Sequence, residues 1–327
     1  MAIMQGKWLQ ANQKEGGPKA RSSHAVAVVG KKAYVFGGEV EPRVPVDNLM
    51  HVFDLEDNSW SVAEAKGDAP PPRVGVTMVP IGSVIYLFGG RDQIHKELNH
   101  FYSFDTDSCQ WNLISSEADG PPNRSYHAMA ADDKQVYVFG GCGEQSRLND
   151  LWAFNVEEGE WKALPAPPPE SKLVPRGGPG LVVLDNKVWV IFGFGGKHEL
   201  PDIHCFDLRT NMWEEVEAKG EIKPTPRSVF ACFALGKHIV VYGGEVDPSD
   251  LGHMGAGSFC GDVFALDTEA LEWIRVEDGG GESHPGPRGW TAFSVGSCCG
   301  GNGMLVYGGN SPSNKRLDDI FFLQLAA

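Results

Sequence analysis

Between Gly244 and Asp262 the chain reads Glu245-Val246-Asp247-Pro248-Ser249-Asp250-Leu251-Gly252-His253-Met254-Gly255-Ala256-Gly257. Three carboxylates and one histidine close together could bind a divalent cation. A mixed oxygen and nitrogen set suits iron(II), manganese or zinc better than calcium or magnesium. The plainer alternative is a solvated acidic loop rich in Gly and Pro.

A second chemical pattern is a register of arginines: Arg21, Arg73, Arg124, Arg176, Arg227 and Arg288. Two readings are open for it. The arginines either pin neighbouring loops through carbonyl and carboxylate contacts, or they line a cationic mouth in which each desolvated Arg–anion bond contributes about 1.5–3 kcal/mol. Arg91 is a sharper candidate for anion binding. It follows a Gly-Gly pair, where the other repeats place Glu39, Cys142, Gly195, Glu245 and Asn310, and none of those is a cation. The residues two beyond each register arginine are Ser23, Gly75, Tyr126, Gly178, Val229 and Trp290.

These residues are positioned by a repeat. Val35-Phe36-Gly37-Gly38, Leu87-Phe88-Gly89-Gly90, Val138-Phe139-Gly140-Gly141, Val241-Tyr242-Gly243-Gly244 and Val306-Tyr307-Gly308-Gly309 share one pattern; Ile191-Phe192-Gly193-Phe194 is read as keeping the first glycine only. Trp60, Trp111, Trp161, Trp213 and Trp273 follow downstream, and the last repeat runs out of chain before its tryptophan, which Trp8 supplies. A period near 50 with Gly-Gly and a downstream Trp is that of the kelch blade, a four-stranded antiparallel sheet. The expectation is therefore an all-β fold, a six-bladed kelch β-propeller closed by the N-terminal strand joining the last blade. The blades fall at about 22–60, 74–111, 125–161, 177–213, 228–273 and 289–325 plus 6–10, within a single domain over 1–327. The tryptophans are expected to pack between blades. In an antiparallel blade the start of strand one and the end of strand two share a face, so the arginine register and the post-glycine residues should meet around one end of a central channel.

Composition fits a protein with a large core: 42% hydrophobic and 22% charged, with 41 Gly and 22 Pro for many tight turns. No apolar run approaches the roughly 20 residues that span a bilayer, and MAIMQGKW lacks the features of a secretory signal, so a cytoplasmic protein is expected. The net charge of −15 argues against nucleic acid and anionic membranes as partners. Seven cysteines without zinc-finger spacing read as reduced thiols, several buried, with adjacent Cys298 and Cys299 as the candidate redox pair. No Ser/His/Asp order and no phosphate-cradling glycine loop points to a hydrolase or nucleotide enzyme. His24 and His127 read as hydrogen-bonding within the blades.

The strings Arg-Ser-Ser-His (21–24), Phe-Gly-Gly-Glu (36–39), Phe-Gly-Gly-Arg-Asp (88–92), Arg-Ser-Tyr-His (124–127), Arg-Ser-Val-Phe-Ala (227–231), His-Met-Gly-Ala-Gly (253–257), Arg-Gly-Trp-Thr-Ala (288–292) and Gly-Gly-Asn-Ser-Pro (308–312) are more specific than the repeat. With them the chain, from Gln5 to its C-terminus, resembles the plant kelch-repeat specifier proteins of glucosinolate breakdown: epithiospecifier, nitrile-specifier and thiocyanate-forming proteins. The resemblance implies iron(II)-dependent, lyase-type conversion of thiohydroximate-O-sulfates, released by myrosinase, into nitriles or related products. It implies a small sulfated substrate held at Arg91, with Trp290 packing against its side chain or shielding it from water. The family holds iron with Glu-x3-Asp-x3-His. Here Glu245 and His253 keep their separation, Ser249 takes the central position and Asp250 lies one residue later, giving Glu245, Asp250 and His253 as the implied ligands. A family lysine falls on Val44, beside Arg43. Two other readings stand beside this one: a relative doing different small-molecule chemistry in the same pocket, and a non-catalytic kelch module whose loops bind a protein partner.

Overall fold

The computed structural model describes residues 4–116, 120–280, 283–298 and 301–325. Cys299 lies outside the described residues and nothing is described of the Cys298 side chain, so the candidate redox pair is not placed. The described chain is almost wholly β; its helical content is a single 3-10 turn at Gly252–Met254. Among the described residues no helix is long and apolar enough to cross a membrane.

The strands form curled antiparallel sheets that follow the repeat in the manner of a β-propeller. The first sheet runs Ala25–Val29, Lys32–Phe36, His51–Asp54 and Trp60–Val62 in sequence order, and the fourth runs Gly180–Leu184, Lys187–Ile191, Ile203–Asp207 and Met212–Glu215 in the same way. The last three C-terminal strands, Ala292–Cys298, Gly301–Asn310 and Arg316–Leu325, are joined by Met4–Gln10, whose Gly6 to Gln10 pair antiparallel with Leu325 to Phe321. The same N-terminal strand touches the preceding sheet through a short parallel pairing of Met4 with Val276 and Gln5 with Glu277.

The core lies between the sheets. Each repeat tryptophan packs on an aromatic ring of the preceding repeat: Trp111 on Phe36, Trp161 on Phe88, Trp213 on Phe139, Trp273 on Phe192, Trp8 on Tyr242 and Trp60 on Tyr307, with ring centroids 4.7–6.1 Å apart. This inter-sheet packing is what the tryptophan spacing led us to expect. Rings in tilted or edge-on contact at these separations add to the area they bury.

The glycine pairs let adjacent sheets approach. Gly37 has φ +71, and a Cβ there would sit 2.7 Å from the Arg73 carbonyl oxygen; the next residue, Gly38, donates its amide to that same oxygen at 2.9 Å. The fourth repeat corrects the sequence reading. Arg176 donates to the carbonyl of Phe192 where Arg21 donates to that of Gly37, so Phe192 takes the place of the first glycine, at φ +54, and Gly193 is the second. The post-glycine residue of that repeat is consequently Phe194, which bridges to Gly177, rather than Gly195.

Candidate functional site

The arginine register is scaffold, which corrects the cationic-mouth reading. All six are at most 2% exposed. Each directs Nη1 at the carbonyl that opens its glycine pair, at 2.9–3.1 Å. Five also meet a carboxylate: Asp47, Asp150, Asp202, Asp262 and Asp319. Arg73 instead lies 5.4 Å from the centre of the Tyr102 ring, and burial pulls its pKa down to about 10. Guanidinium groups buried to this extent are out of reach of a substrate anion at the mouth.

Two positions beyond these arginines the backbone forms a cycle. Gly75 N donates to Ser23 O, Tyr126 N to Gly75 O, Gly178 N to Tyr126 O, Val229 N to Gly178 O, Trp290 N to Val229 O and Ser23 N to Trp290 O, all at 2.8–3.0 Å. Every member has positive φ, between 47° and 61°. The cycle borders one end of a central cavity of ≈ 380 Å³, whose largely apolar wall includes Met78, Met129, Val183, Phe233 and Val295. His24 and His127 turn away from that axis into the sheet interfaces, His24 against Tyr307 and His127 bonded to Thr77 of the preceding repeat at 2.6 Å.

Above the cycle the mouth has two sides. On one, Trp290 and the His253 ring are 4.6 Å apart and edge-on, Tyr126 is 5.4 Å from each, and the Arg91 guanidinium lies 5.9 Å from the Tyr126 ring centre. The structure therefore brings Arg91, Trp290 and His253 together. Arg91 is paired: its Nε and Nη2 both bond Glu97 Oε1. Burial opposes the guanidinium charge, but the Glu97 contact outweighs it and raises the Arg91 pKa. His253 Nε2 is 3.0 Å from Glu39 Oε1 and 3.1 Å from the Tyr126 hydroxyl, whose pKa is pushed well up, first by burial and then by the Glu39 charge.

On the other side stand Glu245, Glu199, Arg147 and Phe194. Burial lifts the Glu245 carboxyl to about 7, despite the Gly257 amide at 3.2 Å and helped by the Asp247 charge. Burial likewise lifts Glu199 to about 8, against a hydrogen bond from Ser228 Oγ at 3.2 Å. Arg147 pairs with Cys142 as Glu97 pairs with Arg91 and Glu199 with Phe194, and it was missed in the sequence because the residue type at this hairpin position changes from repeat to repeat. Its guanidinium lies 4.8 Å from the Phe194 ring centre, and its buried Nε has no hydrogen-bond partner among the described residues.

Glu245, Asp250 and His253 stand apart. Glu245 is buried in the short strand Glu245–Asp247, Asp250 is exposed, and His253 is engaged with Glu39. Among the described residues no three His, Cys, Asp or Glu side chains are disposed to hold a metal ion. The set implied for iron(II) does not fit a metal in this arrangement.

Comparison with known proteins agrees with this architecture. The family model described as the KLHDC2/KLHL20/DRC7 Kelch-repeats domain matches residues 23–244, so the class is that of kelch-repeat proteins. The N-(sulfonatooxy)prop-2-enimidothioate sulfolyase of Thlaspi arvense is 40% identical over 98% of this chain and 97% of its own length. Similarity to acyl-CoA-binding domain-containing protein 5 of Arabidopsis thaliana is 29% over 69% of this chain and 36% of that protein; kelch domain-containing protein 3 of Rattus norvegicus is 23% identical over 69% and 62%. The chain belongs to the kelch-repeat specifier proteins of glucosinolate breakdown.

Proposed function

We propose that the chain is a specifier-type sulfolyase, which takes thiohydroximate-O-sulfates released from glucosinolates by myrosinase and directs them to nitriles or related products. The observation that carries this reading is the match to the Thlaspi arvense sulfolyase over nearly the whole of both chains. The mouth has suitable chemistry. Arg147 is a cation with no carboxylate within ion-pair distance among the described residues, Arg91 faces the mouth with its charge shared by Glu97, and Tyr126 and Trp290 form an aromatic wall beside them. A sulfate bound by charge-assisted hydrogen bonds from Arg147 and Arg91 would be oriented as a leaving group, and it departs with the N–O electron pair. Trp290 would pack on the substrate side chain and limit access of water.

Iron(II), when bound, would offer an open coordination position to the thiolate sulfur. Glu245, Asp250 and His253 as they stand do not assemble that site.

The scaffold we infer is a six-bladed propeller closed by the N-terminal strand in the last blade. The support for it is the return of the cycle of amides from Trp290 to Ser23, the return of the tryptophan contacts from Trp60 to Tyr307, and the pairing of residues 6–10 with 321–325.

A coupled assay tests the function. Myrosinase and an aliphatic glucosinolate, supplied with ferrous iron, should give nitrile or a related product with the protein and isothiocyanate without it. Isothiocyanate alone in both arms would sink the proposal.

A further inference from the structure

The metal set implied by the resemblance does not assemble, and His253 is engaged instead with a carboxylate from the first repeat. Glu39, 1% exposed, collects donors from three parts of the chain. Ser22 Oγ and Ser23 Oγ reach Oε1 at 3.2 and 3.3 Å, and the Arg43 amide reaches Oε2 at 2.6 Å, all from the first repeat. Arg316 Nη2 comes from the last repeat at 3.2 Å, and His253 Nε2 from the fifth at 3.0 and 3.2 Å. A carboxylate only accepts, so the proton of the contact sits on Nε2 of His253, with the Tyr126 oxygen as a second acceptor. That tautomer leaves the lone pair on Nδ1, so the contact with Glu39 fixes the ring through Nε2 alone.

The loop that carries His253 has little else to hold it. None of Gly252, His253 and Met254 is buried, and Leu251 and Met254 are 71% and 51% exposed. The loop is also tied to the last repeat by Asn314 Nδ2, which donates to Met254 O at 3.1 Å. His253 nevertheless supports the aromatic wall, edge-on to Trp290 and bonded to Tyr126.

We propose that Glu39 and His253 form a clasp that ties the fifth-repeat loop across the mouth, and that His253 is a positioning residue for Trp290 and Tyr126. Its consequence for turnover rests on the sulfolyase reading; the clasp itself does not.

Hydrogen exchange read by mass spectrometry on the chelator-treated full chain tests it. In His253→Ala the amides of 250–257 should exchange about tenfold faster or more, since a hydrogen bond to a charged group is lost. His253→Gln, which keeps an amide donor, should restore most of the protection. Glu39→Ala should expose the same amides, with the double variant no faster than the faster single one. Unchanged exchange in His253→Ala overturns the clasp. Because exchange is measured without substrate, failure of the coupled assay would count against the function alone.

Discussion

The amide of Ser23 donates to the carbonyl of Trp290 at 2.9 Å, so the first and last members of the mouth cycle are joined through backbone. The Trp290 indole hangs from this cycle at φ +59, a left-handed conformation that disfavours a side chain. Geometry of the cycle and chemistry of the indole are thus separable. Trp290→Gly should keep the fold, with a thermal midpoint within a few degrees of wild type, because glycine adopts this φ freely. It should lower kcat/KM in the coupled assay through loss of the aromatic wall. Gly178→Ala should do the reverse, since a Cβ there would lie 2.7 Å from Val229 Cγ1 and the φ is +57; the expected loss is about 1–3 kcal/mol of stability in urea unfolding.

Arg147 provides a cleaner test of sulfate binding than Arg91. Removing Arg91 strands Glu97, which is 5% exposed and would be left as an unpaired buried carboxyl, so stability and binding would fall together. Arg147 has no carboxylate within ion-pair distance among the described residues. Arg147→Met, which keeps much of the apolar stem against Phe194, should reduce kcat/KM by about 10–100-fold, the worth of one charge-assisted hydrogen bond. Steady-state kinetics would show a raised KM, and unchanged constants would remove Arg147 from the site.

How much was legible follows from the repeat. Gly37-Gly38 and Trp111 recur at fixed offsets because each performs the same steric task in every sheet, and that placed Trp290 and Arg91 at one mouth. Phe192 was misread because a non-glycine residue can occupy the left-handed conformation that the first glycine supplies elsewhere. Arg147 and Glu199 occupy the same hairpin position of neighbouring repeats, opposite Cys142 and Phe194, but its residue type varies too much for a motif to announce it. The Glu39–His253 contact joins residues 214 apart in sequence, and only the curling of the sheets brings them together. The register arginines show the opposite error, because an abundant charge pattern belonged to the scaffold.

Those arginines set the acid limb of stability. Burial opposes the Asp47 charge, but the His51 hydrogen bond and the Arg21 charge outweigh it and pull the carboxyl down to about 2. An unfolded aspartate titrates near 3.9. Between these values the unfolded chain binds the proton and the folded chain does not, so the contribution is complete above about pH 4 and is lost as the pH falls toward about 2. Asp47→Asn should flatten this limb when urea midpoints are compared at pH 5, 4 and 3. An equally steep acid limb in the variant would place the acid sensitivity elsewhere.

The fourth sheet offers the strongest single test of the register. Asp202 receives Arg176 Nη1 at 2.7 Å and Nη2 at 2.8 Å, and also bonds His204 Nε2 at 2.8 Å. Arg176 is 0% exposed, so loss of its partner leaves a charge that water cannot reach. Asp202→Ala should cost about 3–5 kcal/mol, as expected for breaking one side of a buried pair. The same removal at Lys187–Glu214, where the glutamate side chain is 53% exposed, should cost no more than about 1 kcal/mol. Urea unfolding of the two variants side by side separates buried scaffold from surface pairing, and similar losses in both would mean that the register arginine is held mainly by its carbonyl contacts.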